Sequence, residues 1–531
     1  MKRLTHALCL AAIVVGVAAA TSASAAGKVC VGNGPGCFAT LQAALDAAND
    51  GDTIKIAPGT FAGGVTIDKS VNLVGAGAGQ TVISGGGPVL TIGEFGAPSE
   101  PTVSIHGVTI SGGITRSSWA AQFNGDGVVA LGGGIEIPPN ANFDGGATVT
   151  IRNSSITGNR VAPSATVPSG IPCPGGDCPF ALASGGGIDS WGTLTLKGTT
   201  VRDNRVGTAS GLSDLASDAV GGAIASRLGP LRVEDSVISG NQASSTGPNG
   251  RFAEGGAVYA PGGSLSMTNS TVTGNRALLH ASLPDTVEML AQSGGMFIGS
   301  GPATIIASRI ADNSVAMTNS VGNATAFSGG LNVGPEVDFR MSSSVIADNA
   351  VSSAATGSQG DAEGDTGGGA LVGKVTNTRI SGNTVTVSSA AGDAFAAIGG
   401  LLQFGSLTNS VVNDNQLHAT SPNGSAAVVG GGVMVADNSL TLRNTTVSHN
   451  SSVATGQDSF GQGGGIYDGP TPFEGLQGSP LALVNSTVTG NSLSGGAGTT
   501  LRGGGLYIQD QPLTLANSVI AGNSPDQCFG C

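Results

Sequence analysis

The chain has 531 residues, with 21 Lys and Arg against 34 Asp and Glu, for a formal net charge of −13. That balance speaks against nucleic acid or anionic lipid as partners. With only 10% charged and 4% aromatic residues, any core must be built from small aliphatic side chains. The 90 glycines would suggest low complexity if they were scattered, but they fall at a fixed phase, which argues for structure.

The first 26 residues read as a secretory signal. Lys2 and Arg3 precede an apolar run that ends in the small residues before Ala25 and Ala26. The run from Leu8 to Ala20 is too short to span a bilayer, and no later stretch is apolar enough to do so. The expectation is a secreted protein, extracellular or held at the cell surface, with no transmembrane segment in the mature chain. Cys9 leaves with the signal, and the other six cysteines fall into local pairs: Cys30 with Cys37, Cys173 with Cys178, and Cys528 with Cys531. Even count, local spacing and export point to disulfides. A zinc site would want nearby histidines, and a redox CxxC would want a βαβ setting; the chain offers neither.

Residues 27–131 read as a cap and first coils. In Phe38 to Asp50, Leu41, Ala44, Leu45 and Ala48 are spaced as the apolar face of a short amphipathic helix. Short alternating strands follow (TIKI, VTID, VNLV, TVIS, TVSIH), separated by Gly, Asp and Pro turns. No segment between them is long enough for a helical crossover.

Residues 132–531 repeat one unit: a glycine pair, a short apolar strand, a turn, an alternating strand, then a Ser/Thr-rich corner that closes on Asn. The unit is clearest at Gly255 to Asn275, GGAVYAPGGSLSMTNSTVTGN. The closing residues are Asn159, Asn204, Asn241, Asn275, Asn313, Asn349, Asn383, Asn415, Asn450, Asn491 and Asn523, spaced 32 to 45 residues apart. A period of this size means a solenoid. Three strands per turn joined by polar corners give an all-β, right-handed parallel β-helix with a short N-terminal capping helix.

Alternation points Ile135, Ile188, Ile224, Val258, Phe297, Leu371, Leu402, Val433, Ile466 and Leu506 inward, with a bulge expected at Leu331 and Val333, one residue out of phase. Asn153, Asn269, Asn444 and Asn485 share a corner, where stacked amides about 4.8 Å apart can form ladders. The stretches between each closing Asn and the next glycine pair, such as Val161 to Ser184 and Arg276 to Ser293, read as variable loops on one side, a natural binding face.

The opening DGDTIKIAPGTFAGGVTIDKSVNLVGAG resembles the first coils of the pectin-lyase-like β-helix superfamily. Units such as GGGIYD followed by LALVNSTVTGN resemble secreted bacterial β-helix repeats, related in pattern to polymorphic outer-membrane protein repeats. The resemblance covers about residues 38 to 531. It implies the fold, and it leaves open a lyase, hydrolase, esterase, epimerase or non-enzymatic surface protein. The active-site motifs of that superfamily do not carry over: there is no RxPxxR-like pair, no DD or RIK, no QDTL or DFIFG, no DPH, and the only HG is His106-Gly107.

Four weaker constellations remain. Asp361, Glu363 and Asp365 in SQGDAEGDTGGG set three carboxylates in a glycine-rich loop, which suits a hard cation such as calcium, although a solvated acidic loop has the same look. Asp203, Asp312, Asp348 and Asp414 precede the closing Asn, where other units carry Gly, and this reads as turn chemistry. His280 with Asp285 and Glu288 could offer acid/base work from one loop. Tyr259, Tyr467 and Tyr507, on the outer face of one sheet, could stack on sugar rings. The expectation is a monomeric, non-catalytic β-helix that binds a polysaccharide or cell-surface ligand through its loop face. The rival reading is a polysaccharide lyase or hydrolase, which would require carboxylates and an Arg or Lys to converge in a groove.

Overall fold

The computed structural model describes residues 28–97, 100–118, 128–164, 180–207, 216–247, 249–285, 287–470 and 478–531. The signal segment 1–26 and the pair Cys173 and Cys178 lie outside the described residues. The chain winds as a parallel β-helix. One helix and sheets of 26, 14, 11 and 11 strands make up its described secondary structure, the largest sheet carrying two strand files.

A regular coil has five strands rather than the three expected. In one coil they are Val258–Ala260, Leu265–Thr268, Thr271–Thr273, Arg276–Ala281 and Leu290–Gln292, each pairing in parallel with its counterpart in the next coil. The fourth and fifth strands occupy what the sequence suggested were variable loops. Their pattern is real but built from small residues: Arg276–Ala281 alternates exposed and buried positions, with Ala277, Leu279 and Ala281 inward. The fourth and fifth strands face one another across a core of their own, in which Ala253, Ala277, Ala291, Val315, Met317 and Val385 pack. The main core lies inside the first three strands and runs unbroken from Val31 to Ile508.

Three corners per coil hold left-handed backbone. The first precedes the glycines (Gly255, Ser293, Ser328, Thr366), the second carries Asn153, Asn269, Asn444 and Asn485, and the third carries Asp203, Asp312, Asp348 and Asp414 or glycine. Asn, Asp and Gly bear positive φ with the least strain, so the aspartate series is turn chemistry. The exposed corner amides do ladder: Asn517 Nδ2 donates to Asn485, Asn485 to Asn444 and Asn444 to Asn409, at 2.9, 3.2 and 2.9 Å.

The closing asparagines form a second, buried ladder. Asn349 Nδ2 donates to Asn383 Oδ1 at 3.0 Å and to Ile310 O at 3.1 Å, while its Oδ1 accepts the N–H and the Nδ2–H of Asn313. The same contacts run from Asn159 to Asn523. This ladder explains the glycine pairs far away in sequence. A Cβ on Gly330 would sit 2.9 Å from the Asn349 amide nitrogen and press on the Gly368 carbonyl. The residue after that glycine is therefore the inward one.

That rule corrects two expectations. Met296, Leu331 and Leu401 stand in register with Val258 and point inward, without a bulge at Leu331. Phe297 pairs with Tyr259, and both point outward. Leu402 sits beside inward-facing Leu401 and also lies on the outer face. Alternation alone could not choose between the two phases of GGMFIG or GGLLQF.

The helix Leu41–Ala47 closes the N-terminal end, burying Leu41, Ala44 and Leu45. Thr40 caps its start by accepting the Ala43 N–H, and the Lys69 ammonium donates to the Leu45, Asp46 and Ala48 carbonyls at its end. A disulfide joins Cys30 and Cys37 beside this cap, and another joins Cys528 and Cys531.

Candidate functional site

The left-handed residue before each glycine folds the fifth strand of one coil back toward the first strand of the next. The outer faces of these two strand files therefore look at each other across a long trough. Side chains bridge it at several levels: Ser184 Oγ donates to Asp189 Oδ2 at 2.5 Å, and Asn332 Nδ2 donates to Gln292 Oε1 at 3.2 Å.

Toward the N-terminal half, the trough is acidic. Its first-strand residues are Glu136, Asp189 and Tyr259; its fifth-strand residues include Asp218 and Glu254. Asp189 is 1% exposed, and its Oδ2 also takes an ion pair from Arg227 at 3.3 Å. Arg227 lies over the Trp191 ring, 5.9 Å from its centroid, and Phe143 meets the same indole edge-on. Gln292 Nε2 donates to Glu254 Oε1 at 2.8 Å. Burial pushes the Asp218 carboxyl up to about 6, opposed by the Arg251 charge. Burial likewise raises Glu254, the Gln292 hydrogen bond working against it and Asp218 adding to it. Tyr259 is lifted to about 12 by burial and by the nearby Glu254 carboxylate, with Arg227 acting in the opposite sense. A carboxyl that titrates near 6 beside a second raised carboxyl, a phenol and a guanidinium is equipped to move protons and to bind hydroxyls.

Toward the C-terminal half, the trough fills with its own side chains. Phe395, Ala397, Val429, Met434, Tyr467 and Tyr507 form a buried cluster. Tyr467 stacks on Tyr507, and Tyr507 on Phe529, at centroid distances of 5.2 and 5.1 Å. Tyr467 and Tyr507 do lie on an outer face, but at 1% and 4% exposure their rings are spent on each other rather than free for sugars. Tyr259, half-buried and stacked on Phe297, is the tyrosine left beside polar groups.

The other candidates are not gathered into one site, although Asp361 and Glu363 share a pocket. Asp361 accepts the Asp393 N–H at 2.8 Å, and its own N–H donates to Asn323. It belongs to a file at the start of the fifth strands in which each side chain accepts a backbone N–H from the next coil. Glu363 and Asp365 lie along the strand Ala362–Asp365, and Asp365 accepts the Thr366 hydroxyl. Asn323, Asp361, Glu363, Asp393 and Phe395 do line one shallow pocket. Among the described residues, no group of three or more acidic, His or Cys side chains is placed to hold a metal ion. His280 stands exposed on the outer face of its strand, while the Asp285 carboxylate accepts the Asn323 N–H at 2.5 Å. Sequence reasoning missed Asp189, Asp218, Arg227 and Glu254. Their one signal was charge at outward strand positions beside the glycine pairs, in a chain with few charges.

No protein-family model and no curated protein sequence matches the chain. Among solved structures it is similar to the A-modules of two mannuronan C-5 epimerases of Azotobacter vinelandii. AlgE4 is 13% identical with a TM-score of 0.28, and AlgE6 is 14% identical with a TM-score of 0.26. Each similarity covers 92% of this chain and 95% of the other. At these values no activity passes from them to this chain. Among the described residues no helix is long and apolar enough to cross a membrane.

Proposed function

We propose that this protein is an extracellular β-helix that binds a polysaccharide lengthwise in the trough between its first and fifth strand files. The observation that carries the reading is the acidic half of that trough, where Asp218, Glu254, Tyr259 and Gln292 bring carboxyl, phenol and amide groups together on neighbouring coils. An extended polymer presents hydroxyls along its length, and polar side chains on neighbouring coils of this half meet them. The export signal and local cysteine pairs support an extracellular setting.

A second reading, that the chain also acts on the polymer, is favoured by one observation. Two carboxyls with raised pKa, Asp218 and Glu254, lie together with Tyr259 and Arg227, which is the convergence that general acid/base chemistry requires. The test of both is one experiment on the mature protein. A panel of neutral, acidic and amino polysaccharides is assayed for binding, for new reducing ends and for unsaturated uronates. Binding lost on Glu254→Gln or Tyr259→Phe supports the trough. Cleavage lost in the same variants, with binding kept, makes the chain an enzyme. Absence of binding to every polymer overturns the proposal.

A further inference from the structure

The fourth strands, from Ile114–Thr115 to Ser492–Gly495, form one parallel sheet of 11 strands. In a chain with 34 Asp and Glu against 21 Lys and Arg, none of these strands contains an acidic residue. The outer face of the sheet carries a file of arginines instead. Register sets Arg160 beside Arg205, Arg205 beside Gln242 and Gln242 beside Arg276, and all three arginines are exposed. With strands about 4.8 Å apart, the file spans about 14 Å of the coil axis. We infer that this face, separate from the trough, binds an acidic glycan laid along the axis, whose carboxylates or sulfates are received by Arg160, Arg205 and Arg276.

Two features set this file apart from ordinary surface charge. Like charges side by side on one sheet face destabilise it, and a chain this acidic has the carboxylates to relieve them. Yet the aspartates at the corner before the fourth strands are engaged by arginines of the third. Asp203 pairs with Arg202 at 2.9 Å, and Asp312 and Asp348 pair with Arg309 at 3.7 and 3.6 Å. Among the described residues, the side chains of Arg160, Arg205 and Arg276 have neither a hydrogen bond nor an ion pair. Each keeps its planar fork of donors free for an oxyanion.

The rest of the face selects among polyanions. None of the 11 strands contains Phe, Tyr or Trp, so the stacking platforms that hold single-stranded nucleic acid are missing. Beyond Arg276 the same file continues as Ser314, Ala350, Thr384 and Gln416. These residues offer hydrogen bonds to sugar hydroxyls and give a membrane no large apolar side chain to bury. What remains is recognition by charge along an extended, hydroxyl-bearing chain, and it must weaken as salt screens it.

The test is calorimetric titration of the mature chain, at low and high salt, with three oligosaccharides of equal length: a uronate, a sulfated glycan and a neutral glucan. An acidic oligomer should bind at low salt and lose at least tenfold in affinity at high salt, the tighter of the two identifying the anionic group. The pair Arg160→Ser and Arg205→Ser, both at exposed positions, should weaken it at least tenfold. Arg152→Ser with Arg443→Ser removes the same charge from exposed positions of the second strands and should change it less than twofold. Binding of the neutral oligomer belongs to the trough, and neither pair should alter it, so the two sites separate. Equal weakening by both pairs, an acidic oligomer indifferent to the loss of Arg160 and Arg205, or no binding of either acidic oligomer overturns the inference. Tighter binding of single-stranded DNA or of anionic vesicles overturns it as well.

Discussion

Asn349→Ala is the perturbation that interrogates the fold most directly. The Asn349 amide makes four hydrogen bonds in the middle of the buried ladder, two accepted from Asn313 and two donated, to Ile310 O and Asn383 Oδ1. Alanine leaves the Asn313 N–H and one Asn313 amide hydrogen without acceptors. The second amide hydrogen keeps Val272 O at 3.0 Å, and the Asn383 oxygen keeps the N–H of residue 349. Two buried orphan donors at roughly 1–3 kcal/mol each give a loss of about 4 kcal/mol. Asn523→Ala, at the last coil, is the control. Asn523 is 6% exposed and its partner Gln527 is exposed, so water can replace what is lost and about 1 kcal/mol is expected. Urea unfolding of the mature variants, followed by circular dichroism, measures both. A stack of coils need not unfold in one step, so a new early transition counts as much as a lower midpoint. Equal losses at the two positions, or an Asn349→Ala loss below about 1 kcal/mol, would refute the ladder as a cooperative element.

Two further outcomes follow from burial. Asp218 binds a proton near pH 6 in the folded state and near 3.8 unfolded. The native state therefore holds the extra proton between these values, and stability falls as pH rises through that window, with the penalty constant above it. Asp218→Asn should stabilise the protein at pH 7 by on the order of 3 kcal/mol, less whatever attraction to Arg251 is lost, and should flatten that slope. Thermal melts from pH 3.5 to 7.5 check it, and a less stable variant at pH 7 refutes the burial. Val258→Asp and Ile466→Asp, both at positions 0% exposed in the main core, bury an unpaired charge and should abolish cooperative unfolding. A melt within a few degrees of the parent would show that these side chains do not point inward.

The parts of this structure that were legible in the sequence are those that repeat. The closing asparagines, the left-handed corners and the glycine pairs recur because each must meet its own copy one coil away, and repetition made them visible. The inward phase was legible only where the strand's apolar positions were unambiguous, as at Val258 and Ile466. It failed at Phe297 and Leu402, because the constraint sits in the contact between Gly295 or Gly400 and a distant amide, Asn313 or Asn415. The fourth and fifth strands were hidden for another reason. Their core is made of alanine, valine and glycine, whose contrast with Ser and Thr is too weak to read as alternation.

The candidate site was illegible because it does not repeat. Asp189, Arg227, Asp218 and Glu254 belong to two successive coils, and only the register Asp189↔Ala225↔Tyr259 along the first strands and Ser184↔Val220↔Glu254 along the fifth sets them beside one another. Against a background of stacked identical side chains, this stretch replaces the ladder with differing charges and leaves polar atoms unpaired. Asp218 carries the argument in both directions. Its burial costs stability that Asn would restore, and such a cost is kept where the carboxylate serves a ligand. An Asp218→Asn variant that is more stable yet loses polysaccharide binding would show that the carboxylate is held for binding rather than for folding. A variant that is more stable and binds unchanged would strip the trough of its acidic specificity and leave Asp218 as an ordinary flaw in the stack.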